Sequence, residues 1–136
     1  MLKKFDIFQY ISLVRYKGIP KLLNRLAKKK CNVILDFEDS SKDIFSPKNT
    51  SFLKNQCRIG LKYLNSQNIK YPRIFLRING LKSKFYQKDI LSLKNNLDEK
   101  LKIKGIFIPK VEEYESLLEI NKSLNLKKKK IQLIPI

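Results

Sequence analysis

The sequence predicts an α/β fold in which about five parallel strands alternate with four helices along a single domain. Three observations predict it. Short apolar runs recur, continuous at Val33–Leu35 and Ile74–Leu76 and broken by Lys104 within Ile103–Ile108. Such runs mark strands covered on both faces, as in parallel sheets. Between them lie stretches whose apolar residues return at helical spacing. Charged residues follow the runs directly, where parallel α/β folds place their ligands.

The elements follow in order. Tyr10–Val14 reads as a first strand, broken by Gly18. Pro20 suits the first turn of a helix, and Leu22, Leu23, Leu26 and Ala27 share one side of it. Lys28, Lys29 and Lys30 complement the negative end of its dipole. Val33–Leu35 runs into Asp36 as the second strand. Ser46 and Pro47 read as an N-cap and first helical residue. Phe52, Leu53, Cys57, Leu61 and Leu64 follow at helical spacing, and Asn65–Asn68 ends that segment. Arg73–Ile78 is the third strand, closed by Asn79 and Gly80. Phe85–Leu97 is a helix with Ile90, Leu93, Asn96 and Leu97 on one side. Ile103–Ile108 is the fourth strand, with Pro109 and Lys110 at its end. Glu113–Leu124 is a helix carrying Leu117, Leu118 and Ile120. Lys127–Lys130 reads as a basic turn and Ile131–Ile136 as the fifth strand. Alternation of this kind predicts parallel pairing through right-handed crossovers.

A hydrophobic content of 43% supports a packed core, despite a net charge of +18 from 30 basic and 12 acidic residues. The excess is mostly lysine spread along the whole chain among Ile and Asn. That pattern reads as a composition bias toward A- and T-rich codons. A nucleic-acid reader would lean on Arg for bidentate contacts, so a nucleic-acid partner is disfavoured. The absence of His excludes His-based triads and, with only Cys31 and Cys57, the common zinc patterns. Each cysteine reads as a small hydrophobe, with no disulfide expected. No run reaches the about 18 to 20 apolar residues of a membrane span. No signal-peptide pattern follows the basic N-terminus, so cytoplasmic placement is expected.

The candidate site gathers at three strand ends. Asp36, Glu38 and Asp39 follow the second strand, Arg77 and Asn79 the third, and Lys110 and Glu112 the fourth. A plain alternative exists for each. Asp39 or Ser40 could cap a turn, Arg77 could pair with Glu38, and Lys110 could be solvated. Together they weigh more, because charges gathered at one rim cost stability unless they pair or bind something.

These residues carry a resemblance. The run from Val33 to Ser41 (VILDFEDSS), then Arg77-Ile-Asn79, then Gly105 to Glu112 (GIFIPKVE) resembles the citrate lyase beta-subunit group of the HpcH/HpaI aldolase family. Cys57-Arg58 falls where that family has Ala-Arg, and Asp89-Ile90 where it has an Asp-Leu pair. The resemblance covers residues 10–136, with 1–9 a basic N-terminal extension. It implies the N-terminal half of a (β/α)8 barrel lyase acting beside Mg²⁺. The substrate would be a hydroxy acid, another small carboxylate or an acyl-CoA thioester. Arg77 matches the arginine that binds the substrate carboxylate or carbonyl, and Lys110 a catalytic position. Asp36, Glu38, Asp39 and Glu112 match the residues lining the mouth. The family's metal ligands follow its fifth and sixth strands, so none is expected within these residues. The first strand departs from the family's Phe-x-Pro-Gly-like end, reading Val14-Arg-Tyr-Lys-Gly18.

A full barrel needs about 250 residues, and this sequence supplies 136. A half barrel leaves an open strand edge and an uncovered apolar face. The expectation is therefore a half that requires a complementing C-terminal half or a second copy, inactive by itself. The competing expectation is a non-catalytic basic α/β module that binds nucleic acid or another polyanion.

Overall fold

The computed structural model describes residues 7–67, 69, 73–97 and 101–136. Most of the basic extension and Asn68 thus lie outside the described residues. The elements are β1 (Phe8–Ser12), α1 (Ile19–Lys28), β2 (Asn32–Asp36), α2 (Pro47–Ser66) and β3 (Ile74–Arg77). They continue with α3 (Tyr86–Asn96), β4 (Ile103–Ile108), α4 (Tyr114–Leu124), α5 (Leu126–Lys129) and β5 (Gln132–Pro135).

All five strands form one parallel sheet in the order β1-β2-β3-β4-β5. Each strand thus adds beside its predecessor, with no reversal of direction. A doubly wound sheet reverses its strand order and carries helices on both faces. Here the core is one-sided. Ile11, Val33, Leu35, Leu76 and Ile106 pack against Leu23, Cys57, Leu61, Leu93 and Ile120 of the helices. The opposite face follows the other register parity: Phe8 and Tyr10, then Ile34, Phe75, Phe107 and Ile134. Phe8 and Tyr10 on it are 40% and 45% exposed. Phe8, Phe75 and Phe107 meet there edge-on or tilted, with ring centroids 5.3 to 6.3 Å apart. The face is uncovered at this β1 edge, whereas Ile34 and Phe75 at its centre are buried and Phe107 and Ile134 half-buried.

Most elements lie within a residue or two of their expected positions. β1 begins at Phe8 and ends at Ser12, earlier than the expected Tyr10–Val14. Ser12 ends it by turning its hydroxyl to accept the Val14 N–H at 3.3 Å. Ser46 caps α2 as expected, accepting the Asn49 N–H at 3.1 Å. The expected basic turn at Lys127–Lys130 is instead the short helix α5. Asn125 turns left-handed at φ 54, Leu126 enters the core, and Asn121 Oδ1 accepts the Lys127 N–H at 3.2 Å. The buried stripe of α2 runs through Thr50, Lys54, Cys57, Leu61 and Leu64, leaving Phe52 56% exposed. Leu118 of α4 likewise points outward.

Helix α2 touches the end of β1 at Gly60. A Cβ there would meet the Tyr16 Cβ at 2.8 Å and the Leu13 carbonyl oxygen at 2.9 Å. Helix propensity alone favours Gly60→Ala by about 1 kcal/mol. Close packing argues the reverse, at about 1 to 3 kcal/mol. Gly60→Ala is therefore expected to lower the denaturant midpoint, and a rise would show that α2 does not approach β1 this closely.

Candidate functional site

The C-terminal ends of β2, β3 and β4 carry the polar residues, as the sequence predicts. They form two adjoining groups. The first lies at the end of the uncovered face, where Asp36 and Arg77 stand opposite each other in the β2–β3 register. Arg77 Nε donates to Asp36 Oδ1 at 2.8 Å and its Nη2 to Oδ2 at 2.7 Å. This fork-on-fork geometry is the strongest pairing the two groups can make. Arg77 Nη1 lies 3.1 Å from Glu38 Oε2 and 3.6 Å from Asp39 Oδ2. The guanidinium also sits 4.6 Å over the Tyr10 ring. Arg77 is thus surrounded by three carboxylates and one aromatic face, and the Asp36 hydrogen bonds hold its pKa above the ordinary value.

Asp36 is 1% exposed and accepts two further hydrogen bonds, from the N–H groups of Glu38 at 2.9 Å and Ser40 at 3.0 Å. Burial pushes its pKa up, but Arg77 and these N–H groups outweigh burial and hold the carboxyl below its ordinary value. Glu38 moves the other way. Burial raises it against the pull of Arg77, and neighbouring Asp39 and Asp36 add to the rise.

The second group lines a cavity of about 430 Å³ between the loops after β2, β3 and β4. Of the predicted site residues, Glu38, Asp39, Asn79, Lys110 and Glu112 line it, whereas Asp36 and Arg77 do not. Glu38 and Asp39 join the two groups. Glu112 pairs with Lys82 at 2.8 Å on the exposed lip. Lys42 and Lys110 also line the cavity, and neither has an acidic partner among the described residues. Lys110 holds a left-handed backbone at φ 55, its N–H donating to the Ile136 carbonyl at 2.9 Å. That conformation is costly for a lysine and concentrates at functional positions.

Four further residues contribute that the sequence analysis did not place at the site. Lys54, 4% exposed, lies under the cavity on α2. Its ammonium donates to the Phe37 carbonyl at 2.7 Å and to the Glu38 carbonyl. Burial lowers its pKa, against the pull of Asp89, Asp36 and Glu38. It fixes the acidic loop by its backbone. Buried Asp89 and half-buried Arg58, noted only within the family motif, form an ion pair at 2.9 Å. The other Asp89 oxygen accepts from the Asn79 backbone and side chain at 3.0 and 2.6 Å. Asn79 in turn donates to the Phe37 carbonyl at 3.1 Å, tying the β3 loop to the β2 loop. Tyr10, read only as a strand residue, is the floor beneath Arg77.

Both cysteines are free, as expected. Cys57 is fully buried and burial pushes its thiol up to about 11. No group of three or more His, Cys, Asp or Glu among the described residues could hold a metal ion. The acids that come closest do not fit Mg²⁺, since Asp36, Glu38 and Asp39 are turned onto Arg77. Among the described residues, no helix is long and apolar enough to cross a membrane. No protein-family model and no curated protein matches the chain.

Proposed function

We propose that this chain is the substrate-binding half of a carbon–carbon lyase of the citrate lyase beta-subunit type, wound as part of a (β/α)8 barrel. The observation that carries the reading is the rim. Three consecutive parallel strands deliver Asp36, Arg77 and Lys110 to one end of a sheet whose order never reverses. Barrels place their sites at that end. The acids there are already occupied, Asp36, Glu38 and Asp39 by Arg77 and Glu112 by Lys82. What remains free to meet a ligand is positive, namely Lys42 and Lys110. The ligand class is therefore a small carboxylate, free or as an acyl-CoA thioester. Arg77 does not line the cavity; it serves the mouth by holding the three acids, which leaves the cavity's free charge positive.

The face of Phe8, Tyr10, Phe75, Phe107 and Ile134, open at Phe8 and Tyr10, would be the interior of the proposed barrel. Further strands, or a second copy, would cover it. The Mg²⁺ of the reaction would be held by residues outside those described here.

Binding tests the reading. Calorimetric titration should show citrate binding that Lys110→Glu weakens about tenfold, the effect of reversing one charge near an anion. Unchanged affinity would remove Lys110 from the site. Residues 1–136 alone are expected to bind without cleaving. Mg²⁺-dependent cleavage by them alone would contradict the assignment of the metal ligands.

A further inference from the structure

A second concave site lies at the opposite end of the sheet, where β4 and β5 begin. It is a cavity of about 620 Å³ lined by Lys102 and Lys104 at the start of β4 and by Lys128, Lys129 and Lys130 at the α5–β5 junction. The remaining described lining is Leu97, Ile103, Asn125 and Ile131, with no acid among the described residues. None of the five lysines forms an ion pair with a described residue. Asp98 and Glu99, near in sequence, lie outside the described residues.

Lysines scattered over a convex surface are kept apart and solvated. Here two separate segments bring five lysines to the lining of one hollow. Their mutual repulsion is relieved only by counter-charge. The backbone contributes to the convergence. Lys130 is held left-handed at φ 55, with its N–H donating to the Lys127 carbonyl at 3.2 Å and the Ile131 N–H to that of Leu126 at 3.0 Å. This chain reversal carries Lys130 back over the entrance of β5.

We propose that this hollow binds a polyphosphate group, either inorganic or the tail of a nucleotide. Lysine meets phosphate as a point charge and needs no planar fork. The volume falls within the about 300 to 1,000 Å³ of small-ligand pockets. A compact, multiply charged anion satisfies all five lysines at once. An extended nucleic acid would instead need a positive groove that tracks its backbone. The buried Ile103 and half-buried Ile131 offer an apolar wall on which a base could rest. The site is separate from the carboxylate mouth, at the other end of the strands, and does not depend on the lyase reading.

The test is calorimetric titration of the full chain with inorganic tripolyphosphate and with ATP at physiological ionic strength. Both are expected to bind. Tighter binding of ATP would assign the nucleotide as the source, and equal binding the polyphosphate alone. The double variant Lys128→Glu/Lys130→Glu should weaken tripolyphosphate about tenfold or more. All of these side chains are exposed, so the thermal midpoint should hold. Lys104→Gln, a milder change, should weaken binding in the same direction. Lys42→Glu, at the other end of the sheet, should leave it unchanged. Equal losses from Lys42→Glu and from the double variant would reduce the effect to overall charge and overturn the proposal. So would absent binding, or a single-stranded oligonucleotide that binds tighter and displaces tripolyphosphate.

Discussion

Asp36→Asn is expected to lower the stability of the fold by about 3 to 5 kcal/mol at neutral pH, because it breaks a buried ion pair from one side. The side chain is 1% exposed and every lone pair it offers is engaged. Its oxygens accept from Arg77 Nε and Nη2 at 2.8 and 2.7 Å and from the Glu38 and Ser40 N–H groups at 2.9 and 3.0 Å. An amide of the same shape sets an NH₂ donor against one of these donors and leaves the guanidinium less compensated. Glu38→Gln provides the contrast. Glu38 touches the same arginine at 3.1 Å but is partly solvated, so its loss should stay within about 1 kcal/mol of the unmodified protein. Urea unfolding of the two variants tests the ranking, and equal losses would contradict it.

The same pair sets opposite pH responses. Asp36 titrates below its ordinary 3.8 in the folded protein, since Arg77 and two N–H groups outweigh the upward push of burial. Its contribution is thus fully present above that ordinary value and is lost as pH falls through the lower, folded value. Glu38 titrates above its ordinary 4.5, raised first by burial. Its ionised form therefore subtracts stability at neutral pH, and that penalty disappears as pH falls through the folded value. Glu38→Gln removes this offsetting gain and should steepen the upper part of the acid limb, whereas Asp36→Asn should flatten the lower part.

Arg58→Met is the second large effect, also expected to cost about 3 to 5 kcal/mol. Asp89 is fully buried, and Arg58 is its only cationic partner among the described ion pairs. Without it, the carboxylate retains only the two Asn79 donors. The consequence reaches the mouth. Asn79 bridges Asp89 to the Phe37 carbonyl, so its displacement frees the β3 loop from the β2 loop. The variant should therefore weaken citrate binding although Arg58 does not line the cavity. The double variant Arg58→Met/Asp89→Leu removes both charges. It should be less destabilised than the sum of the single changes. Additive losses would show that the two residues do not act as a pair.

Strand positions were legible because buried parallel strands need apolar runs, as at Val33–Leu35 and Ile74–Leu76, and Ile103–Ile108 was read to the residue despite Lys104. The rim residues were legible because charge directly after such a run has few places to go. Pairing was legible only in part: the Arg77–Glu38 contact was foreseen, the fork onto Asp36 was not. No local pattern shows that Arg77 reaches Asp36, Glu38 and Asp39 together, since the register that aligns Asp36 with Arg77 is a long-range property. Lys54 was missed because a lysine on a helix reads as solvated. It is buried because its ammonium finds two carbonyls at the end of β2. The same effect misplaced the stripe of α2, where Thr50 and Lys54 occupy inward positions and Phe52 does not. Lys30 and Lys130 were read as partners of a helix dipole or a turn. Both hold the left-handed position usually taken by glycine, each at φ 55. A lysine-rich composition conceals such special positions among ordinary ones.

The central claim is that the ends of β2, β3 and β4 form one mouth for a small carboxylate. Amide chemical-shift mapping of the chain during titration with citrate tests it most directly. The predicted result is saturable change confined to Glu38–Lys42, Arg77–Ser83 and Lys110–Glu112. Change centred instead on Lys102–Lys104 and Lys128–Ile131, or no change at any concentration, would contradict it.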